Sequence, residues 1–258
     1  SSEKVGTHHI FLCEVHDLHL ARAGSPLIYA NRAYGSSIRI DGARSLASAQ
    51  ARMGSRLTVG CFHTFGPFVI PRLFRQMEGF EVSLVEGDQR RLSESLKAGE
   101  SEVALLYDHD LDEGFEMIPL QELSPYVLLA DGHRLAQQSE IDPTELAEEP
   151  MVLLDAPPSS DYFLGLMRTA GVEPLVAWRT RSFEMLRGLV GHGLGYALLI
   201  TKPASDMTYD GIRLITRPLL GDHAPGRIVI AWRKGAALSA PAKRFIALCR
   251  DAFPQSGG

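Results

Sequence analysis

The residues with the most chemical potential in this sequence fall into two groups: histidines near the N-terminus and polar residues that open a series of helices. His8, His9, His16 and His19, with Glu14, are of the types that ligate transition metals. Their spacing matches no compact zinc pattern, and alternation along a strand puts His8 and His9 on opposite faces. They read as surface and turn histidines, and no metal is expected. The run Gly191-His192-Gly193-Leu194-Gly195 has the look of a dinucleotide loop, but such a loop must follow a strand and open a helix. Here a helical stretch precedes it and a strand follows, so the spacing predicts a helix end and a tight turn. The sequence holds no G-x-x-x-x-G-K-[ST], H-E-x-x-H, C-x-x-C or G-x-S-x-G pattern. No catalytic residue is expected.

The more informative group is His63-Thr64-Phe65, Gly87-Asp88-Gln89, Ala156 to Ser160, and Arg181-Ser182-Phe183. Each follows a short apolar run and precedes an amphipathic one. In an open α/β sheet, ligands bind beyond the carboxyl ends of the strands, where unpaired N–H groups of helix N-termini face a crevice. A polar rim built from all four stretches would bind a ligand there. Thr64, Asp88, Ser159 and Ser182 could equally each cap their own helix, which Ser, Thr and Asp side chains do readily. Both readings stand at this level.

The elements that would position these residues alternate from Arg56 onward. Strands are expected at Leu57–Phe62, Phe80–Glu86, Val103–Tyr107, Gly114–Leu120, Tyr126–Ala130, Met151–Leu154, Val176–Thr180, Tyr196–Ile200, Ile212–Thr216 and Arg227–Arg233. Helices are expected at Pro67–Met77, from Asp88 to Gly99, briefly at Pro143–Ala147, at Ser159–Ala170, from Ser182 to Gly191, and from Pro241 to Phe253. This alternation puts helices on the faces of a largely parallel sheet. Before it, His8–Val15 and Leu27-Ile28-Tyr29 read as a strand pair, and Asp41–Met53 as a connector helix ended by Gly54.

With 258 residues, 45% of them hydrophobic, the chain can bury a sizeable core. A formal charge of −5 gives no basic surface for a phosphate backbone. Cys13, Cys61 and Cys249 are far apart and odd in number, which favours reduced thiols and a reducing cytosol. No apolar run reaches the roughly 18 residues needed to span a bilayer, and Ser1–Gly6 has no leader pattern, so a soluble cytoplasmic chain is expected. The chain begins without Met and in mid-pattern, so an upstream segment is expected.

Leu57–Leu73 (LTVGCFHTFGPFVIPRL), Val85-Glu86-Gly87, Leu96–Leu105 (LKAGESEVAL), Gly132–Ala136 (GHRLA), Glu145–Leu153 (ELAEEPMVL), Ala170–Pro174 (AGVEP) and Leu189–Leu199 (LVGHGLGYALL) follow one another in an order and spacing that resemble the effector-binding domain of LysR-type transcriptional regulators. The resemblance covers about residues 56–254. It implies an α/β fold like the type II periplasmic binding proteins, with two α/β subdomains and an interdomain cleft, preceded here by a short β segment and a connector helix. Subdomain I would be about 56–130 and 217–253, and subdomain II about 131–216. A small organic metabolite would bind in the cleft. By this likeness Thr64 is the small hydroxyl residue that meets the effector. His63, Phe65, Asp88 and Gln89 lie beside it, Asp155, Ser159, Ser182 and Phe183 face them, and Tyr107 sits near the hinge. Asp88 and Asp155 depart from a rim that would favour carboxylates, and Arg181 is the one cation nearby.

The resemblance also implies a homodimer through Pro67–Met77 and a helix in the stretch 131–146 or its neighbours. DNA would be reached only through a winged helix-turn-helix of about sixty residues, a module with no counterpart in this sequence. Residues 1–40 instead resemble the end of a flavin reductase of the FMN-binding split-barrel type, from Gly6–Val15 (GTHHIFLCEV), Pro26–Tyr29 (PLIY) and Arg32-Ala33-Tyr34, with His8 as its motif histidine and Thr7 in place of the usual Asp. FMN would be held only if an upstream domain supplied the missing strands, so no cofactor is expected in this chain. A fusion of an NAD(P)H:flavin oxidoreductase to a sensor is the competing reading, and an exported transport-type binding protein is a third.

Overall fold

The structure is a computed structural model that describes residues 2–5, 8–11, 27–30 and 33–36 as backbone elements and residues 56–253 in full. The chain divides into two compact units, Ser1–Gln50 and Ala51–Gly258.

In the first unit, β1 (Ser2–Val5) pairs antiparallel with β2 (His8–Phe11), and β3 (Leu27–Ala30) with β4 (Ala33–Ser36). The two apolar runs do form strands, but each pairs with a close neighbour rather than with the other. The reason is chain entropy: two residues separate the strands of each hairpin, whereas pairing β2 with β3 would close a much longer loop. His8 opens β2, and its side chain, like Cys13, His16, His19 and the expected connector helix at 41–53, lies outside the described residues.

The second unit runs β5 (Arg56–Phe62), α1 (Gly66–Phe74), β6 (Glu81–Gly87), α2 (Gln89–Ala98), β7 (Val103–Tyr107), β8 (Phe115–Leu123), β9 (Tyr126–Ala130) and a 3-10 turn at Pro143–Leu146. It continues with β10 (Pro150–Leu154), α3 (Ser159–Thr169), β11 (Leu175–Thr180), α4 (Phe183–Gly191), β12 (Ala197–Leu199), β13 (Leu214–Pro218), β14 (Gly226–Arg233) and α5 (Ala240–Ala252). A five-stranded sheet has the order β6-β5-β7-β14-β8, with β5 parallel to β6 and β7, and β14 antiparallel to both of its neighbours. Every residue of β7 is buried, as its continuous VALLY sequence demands of a central strand, while β6 at the edge is largely uncovered.

The second lobe pairs β10 with β11 in parallel and β9 antiparallel with β12 and β13. A parallel bridge between Met151 and Tyr196 ties the two groups together. Gly195 makes that bridge possible: its φ is +149°, and a Cβ there would lie 2.2 Å from the Pro150 carbonyl oxygen. The glycine-rich run is thus the end of α4 and the turn into β12, with Gly193 left-handed at φ +74°.

Two placements differ from expectation. Tyr126–Ala130 joins the second lobe's sheet, where both edges of this apolar strand find hydrogen-bonding partners in β12 and β13 and its residues Tyr126 to Leu129 are buried. No α-helix forms between Asp131 and Leu146; turns lead to the single 3-10 turn that Asp142 caps through the Thr144 N–H. Gly132 and Pro143 punctuate this stretch. Among the described residues, no helix is long and apolar enough to cross a membrane.

Candidate functional site

The carboxyl ends of β5 and β7 and the segment after β12 bring three hydroxyls together. Tyr107, the last residue of β7, is buried, and its Oη lies 3.3 Å from Thr64 Oγ1 and 2.5 Å from Thr201 Oγ1. Thr64 stands two residues beyond β5, and Thr201 two residues beyond β12. The Tyr126 hydroxyl donates to the Thr201 carbonyl at 2.7 Å. One hydroxyl chain therefore joins the first sheet to the second lobe. Burial pushes the Tyr107 phenol up to about 12, against hydrogen bonds from Thr201 and Thr64 that pull it down. It remains a neutral donor and acceptor across the ordinary pH range.

Around this chain lies a chamber of about 10 Å³, bounded by Thr64, Tyr107, Ser159, Phe163, Phe183 and Thr201. That is room for roughly one water molecule. Tyr107, Ser159 and Ile200 also line a larger adjoining pocket of about 150 Å³, whose other walls include Pro158, Tyr162 and Pro225. The two spaces form a cleft with a tight inner end and a wider outer one. No Lys or Arg lines either of them. At the outer end, Arg227 Nε is held 2.6 Å from Asp108 Oδ2.

The helix starts are not equivalent. Asp88 caps α2 by accepting from the Arg91 N–H at 2.9 Å, Ser182 caps α4 through the Met185 N–H at 3.2 Å, and Ser239 caps α5 through the Ala242 N–H at 3.2 Å. By contrast, α1 begins after Phe65 and α3 after Pro158, and neither has a side-chain cap. These two helices open beside the chamber, with Thr64 and Ser159 in its wall. In α1 Pro67 carries no N–H and the Phe68 N–H donates to the Phe65 carbonyl, and in α3 the Ser159 N–H donates to the Ala156 carbonyl, so Gly66 in α1 and Ser160 and Asp161 in α3 are the first-turn N–H groups left for another acceptor.

Of the residues singled out from sequence, Thr64, Tyr107, Ser159 and Phe183 meet in this cleft. The rest have other roles. Phe65 is turned into the core, 1% exposed and edge-on to the Tyr107 ring, because the apolar side chain gains more from burial than from a polar rim. His63 Nδ1 donates to the Gly87 carbonyl at 3.1 Å, which leaves Nε2 as a buried acceptor without a partner. Gln89 donates from Nε2 to the carbonyls of Tyr107 and His109, each at 2.8 Å, so it pins the end of β7 from behind. Asp88 and Ser182 serve as caps. Asp155 is half-buried, with Arg179 Nη1 at 3.9 Å, and Arg181 is exposed.

Thr201, Ile200, Phe163 and Tyr162 were not singled out. Thr201 had a readable signal, since it follows its strand at the same spacing as Thr64. The others needed the packing of the two lobes. Arg187, 3% exposed, had none: it donates to the carbonyls of Ser205 and Met207 at 3.0 and 2.7 Å and so fixes the segment that follows Thr201.

The family described as "LysR substrate binding domain" matches residues 50–254. The crystal structure described as the "C-terminal domain of a probable LysR family transcriptional regulator" from Rhodococcus sp. RHA1 is 38% identical, with a TM-score of 0.72 over 75% of this chain and 98% of that one. HinK, a LysR family transcriptional regulator from Pseudomonas aeruginosa, is 36% identical, with a TM-score of 0.73 over 81% of this chain and 76% of that one. The hydrogen peroxide-inducible genes activator of Pectobacterium carotovorum subsp. carotovorum is 27% identical over 203 residues, which are 76% of this chain. The match spans 66% of that relative's length. These similarities cover the second unit. The flavin-reductase resemblance of residues 1–40 lies outside the family match and gains no support from it.

Proposed function

We propose that this chain, which belongs to the LysR substrate-binding-domain family, senses a small organic metabolite in the cleft between its two lobes and transmits the result by a change in lobe closure. The observation that carries this reading is the meeting of two uncapped helix starts and three hydroxyls around one cleft. Open helix N-termini favour an acceptor group, such as a carboxylate, carbonyl or hydroxyl oxygen. Because the inner chamber holds roughly one water, a metabolite must displace the Tyr107 to Thr201 hydrogen bond to enter it. Its binding is thereby coupled to the separation of the lobes. The step needs no nucleophile and no cofactor in this chain.

On this reading the protein works in the cytoplasm as a homodimer and reaches DNA through a domain outside this sequence. Phe68 on α1 and Met185 on α4 present exposed apolar side chains suited to such pairing. Peroxide chemistry, suggested by the name of some relatives, finds no suitable thiol in the second unit. Cys61 and Cys249 are buried, and burial pushes both thiols up, away from the thiolate that reacts with peroxide.

The test is a calorimetric screen of small carboxylic and hydroxylated metabolites against the full chain. Metabolites that bind should lose at least tenfold in affinity in Thr64→Val and in Ser159→Ala, while Ser182→Ala binds as the parent does. Absence of any binder, or binders indifferent to Thr64 and Ser159, overturns the reading.

A further inference from the structure

A charged side chain lies buried one helical turn from the wall of the inner chamber. Arg187 shares the buried face of α4 with Phe183, the residue of this helix that walls the chamber. Its Nε donates to Glu184 at 3.3 Å, and its Nη2 donates to the carbonyls of Ser205 and Met207 at 3.0 and 2.7 Å. Taking a guanidinium out of water is costly, and an apolar side chain of similar size packs a helix against its neighbours as well or better. What an apolar side chain cannot do is hold two carbonyls in place at once.

Those carbonyls belong to the segment that runs on from Thr201. The Tyr126 hydroxyl holds the Thr201 carbonyl; burial pushes this phenol up while the Arg187 charge pulls it down, which puts Arg187 within electrostatic reach of the group that holds Thr201. The same segment reaches the surface at Met207, which is 40% exposed. Other ties on it are of a different kind. The Leu214 N–H donates to the Asp206 carbonyl at 2.7 Å, which joins the segment to β13 and not to α4. His192 at the end of α4 meets Asp210 at 2.8 Å, but both side chains are more than half exposed, where an ion pair contributes little. Among the described residues, Arg187 is the buried polar tie from this segment to α4.

We infer that Arg187 is a positioning residue for the cleft: it sets where Thr201 stands against Tyr107, and it carries a displacement of Thr201 to the exposed Met207. As a sensing device this rests on the cleft being the effector site, whereas the coupling itself belongs to the chain without a ligand. Its physical basis is a contiguous set of hydrogen bonds from Tyr107 through Thr201 to the segment held by Arg187. Because Arg187 and Phe183 ride on one helix, a compound that parts Thr201 from Tyr107 moves two walls of the chamber and one point on the surface together.

The experiment uses the full chain labelled at its methionine methyl groups, with Met207 as reporter and Met117, exposed on β8 of the five-stranded sheet, as reference. Thr201→Val is the probe: it keeps the shape of the side chain and removes the hydroxyl that meets Tyr107. The Met207 resonance should move in Thr201→Val, and that of Met117 should not. With Arg187→Leu also present, the movement caused by Thr201→Val should fall at least threefold. With Arg187→Lys, which keeps a cation beside Glu184 but loses the planar fork, it should fall at least twofold. His192→Ala, which removes the exposed tie, should leave it unaltered. Should Arg187→Leu not fold, Arg187→Lys decides. An unmoved Met207 in Thr201→Val, or an undiminished movement in the Arg187 variant that folds, overturns the inference. If Met207 responds through Arg187 and the calorimetric screen finds no binder, the cleft reading falls and the coupling stands; if binders that need Thr64 are found and Met207 ignores Thr201→Val, the coupling falls alone.

Discussion

Four helices of this domain begin in the same way in sequence, with a small polar residue beside an apolar run, yet they begin in two different ways in space. At α2 and α4, Asp88 and Ser182 fold back onto the first turn and satisfy an N–H group. At α1 and α3 the preceding residues are Phe65 and Pro158, which have no side-chain oxygen to cap with, and Thr64 and Ser159 line the cleft instead. A helix that is capped by its own side chain spends its local polarity on itself. A helix left open keeps it for whatever enters, and must be held in place by packing alone.

That contrast predicts where damage should spread. Phe163→Ala should have the largest effect, since this 2% exposed ring on α3 both fills the core and walls the chamber. A loss of about 3–5 kcal/mol is expected in chemical denaturation, together with weaker metabolite binding. A loss of stability with unaltered binding would detach α3 from the site.

Tyr107→Phe separates the hydroxyl chain from the packing of the ring. The folded phenol sits at about 12, above its usual value near 10, so the folded state holds its proton where the unfolded chain releases it. The stability tied to this group is complete below about pH 10 and is lost as pH rises toward 12. Denaturation midpoints of the parent should fall through that window, and those of Tyr107→Phe should fall less steeply. Parallel curves would show that the phenol is not buried as described.

Removing the caps should have the smallest effect and the cleanest contrast. Asp88→Ala and Ser182→Ala are each expected to cost about 1 kcal/mol and to leave metabolite affinity within twofold. If either lowered affinity tenfold, the division between capped and open helix starts would collapse.

The same contrast explains what could be read from the sequence. Strands such as Val103–Tyr107 and Tyr126–Ala130 were legible because continuous apolar runs have few other uses, and α2 and α4 because their caps adjoin an amphipathic stripe. The positions of Thr64, Ser159 and Phe183 followed from the rule for strand ends. Which helix start would be capped was not legible, because nothing local shows that Ser159 is the first residue of its helix while Ser182 stands just before its own. Phe65 could not be assigned to core or cleft without the Tyr107 ring against it. The partner of Tyr126–Ala130 depends on crossings between lobes, which leave no local pattern. In the N-terminal segment β2 and β3 were legible but their partners β1 and β4 were not, since apolar character alone neither marks the polar Ser2–Val5 and Ala33–Ser36 nor chooses between a near and a distant partner.

The most direct measurement is an amide shift map of the uniformly labelled chain with a metabolite identified by calorimetry. The account predicts that the N–H resonances of Gly66 and Ser160, at the open starts of α1 and α3, move on binding, while those of Arg91 and Met185, already bonded to Asp88 and Ser182, stay in place. Movement of Arg91 and Met185 with Gly66 and Ser160 unmoved would contradict it.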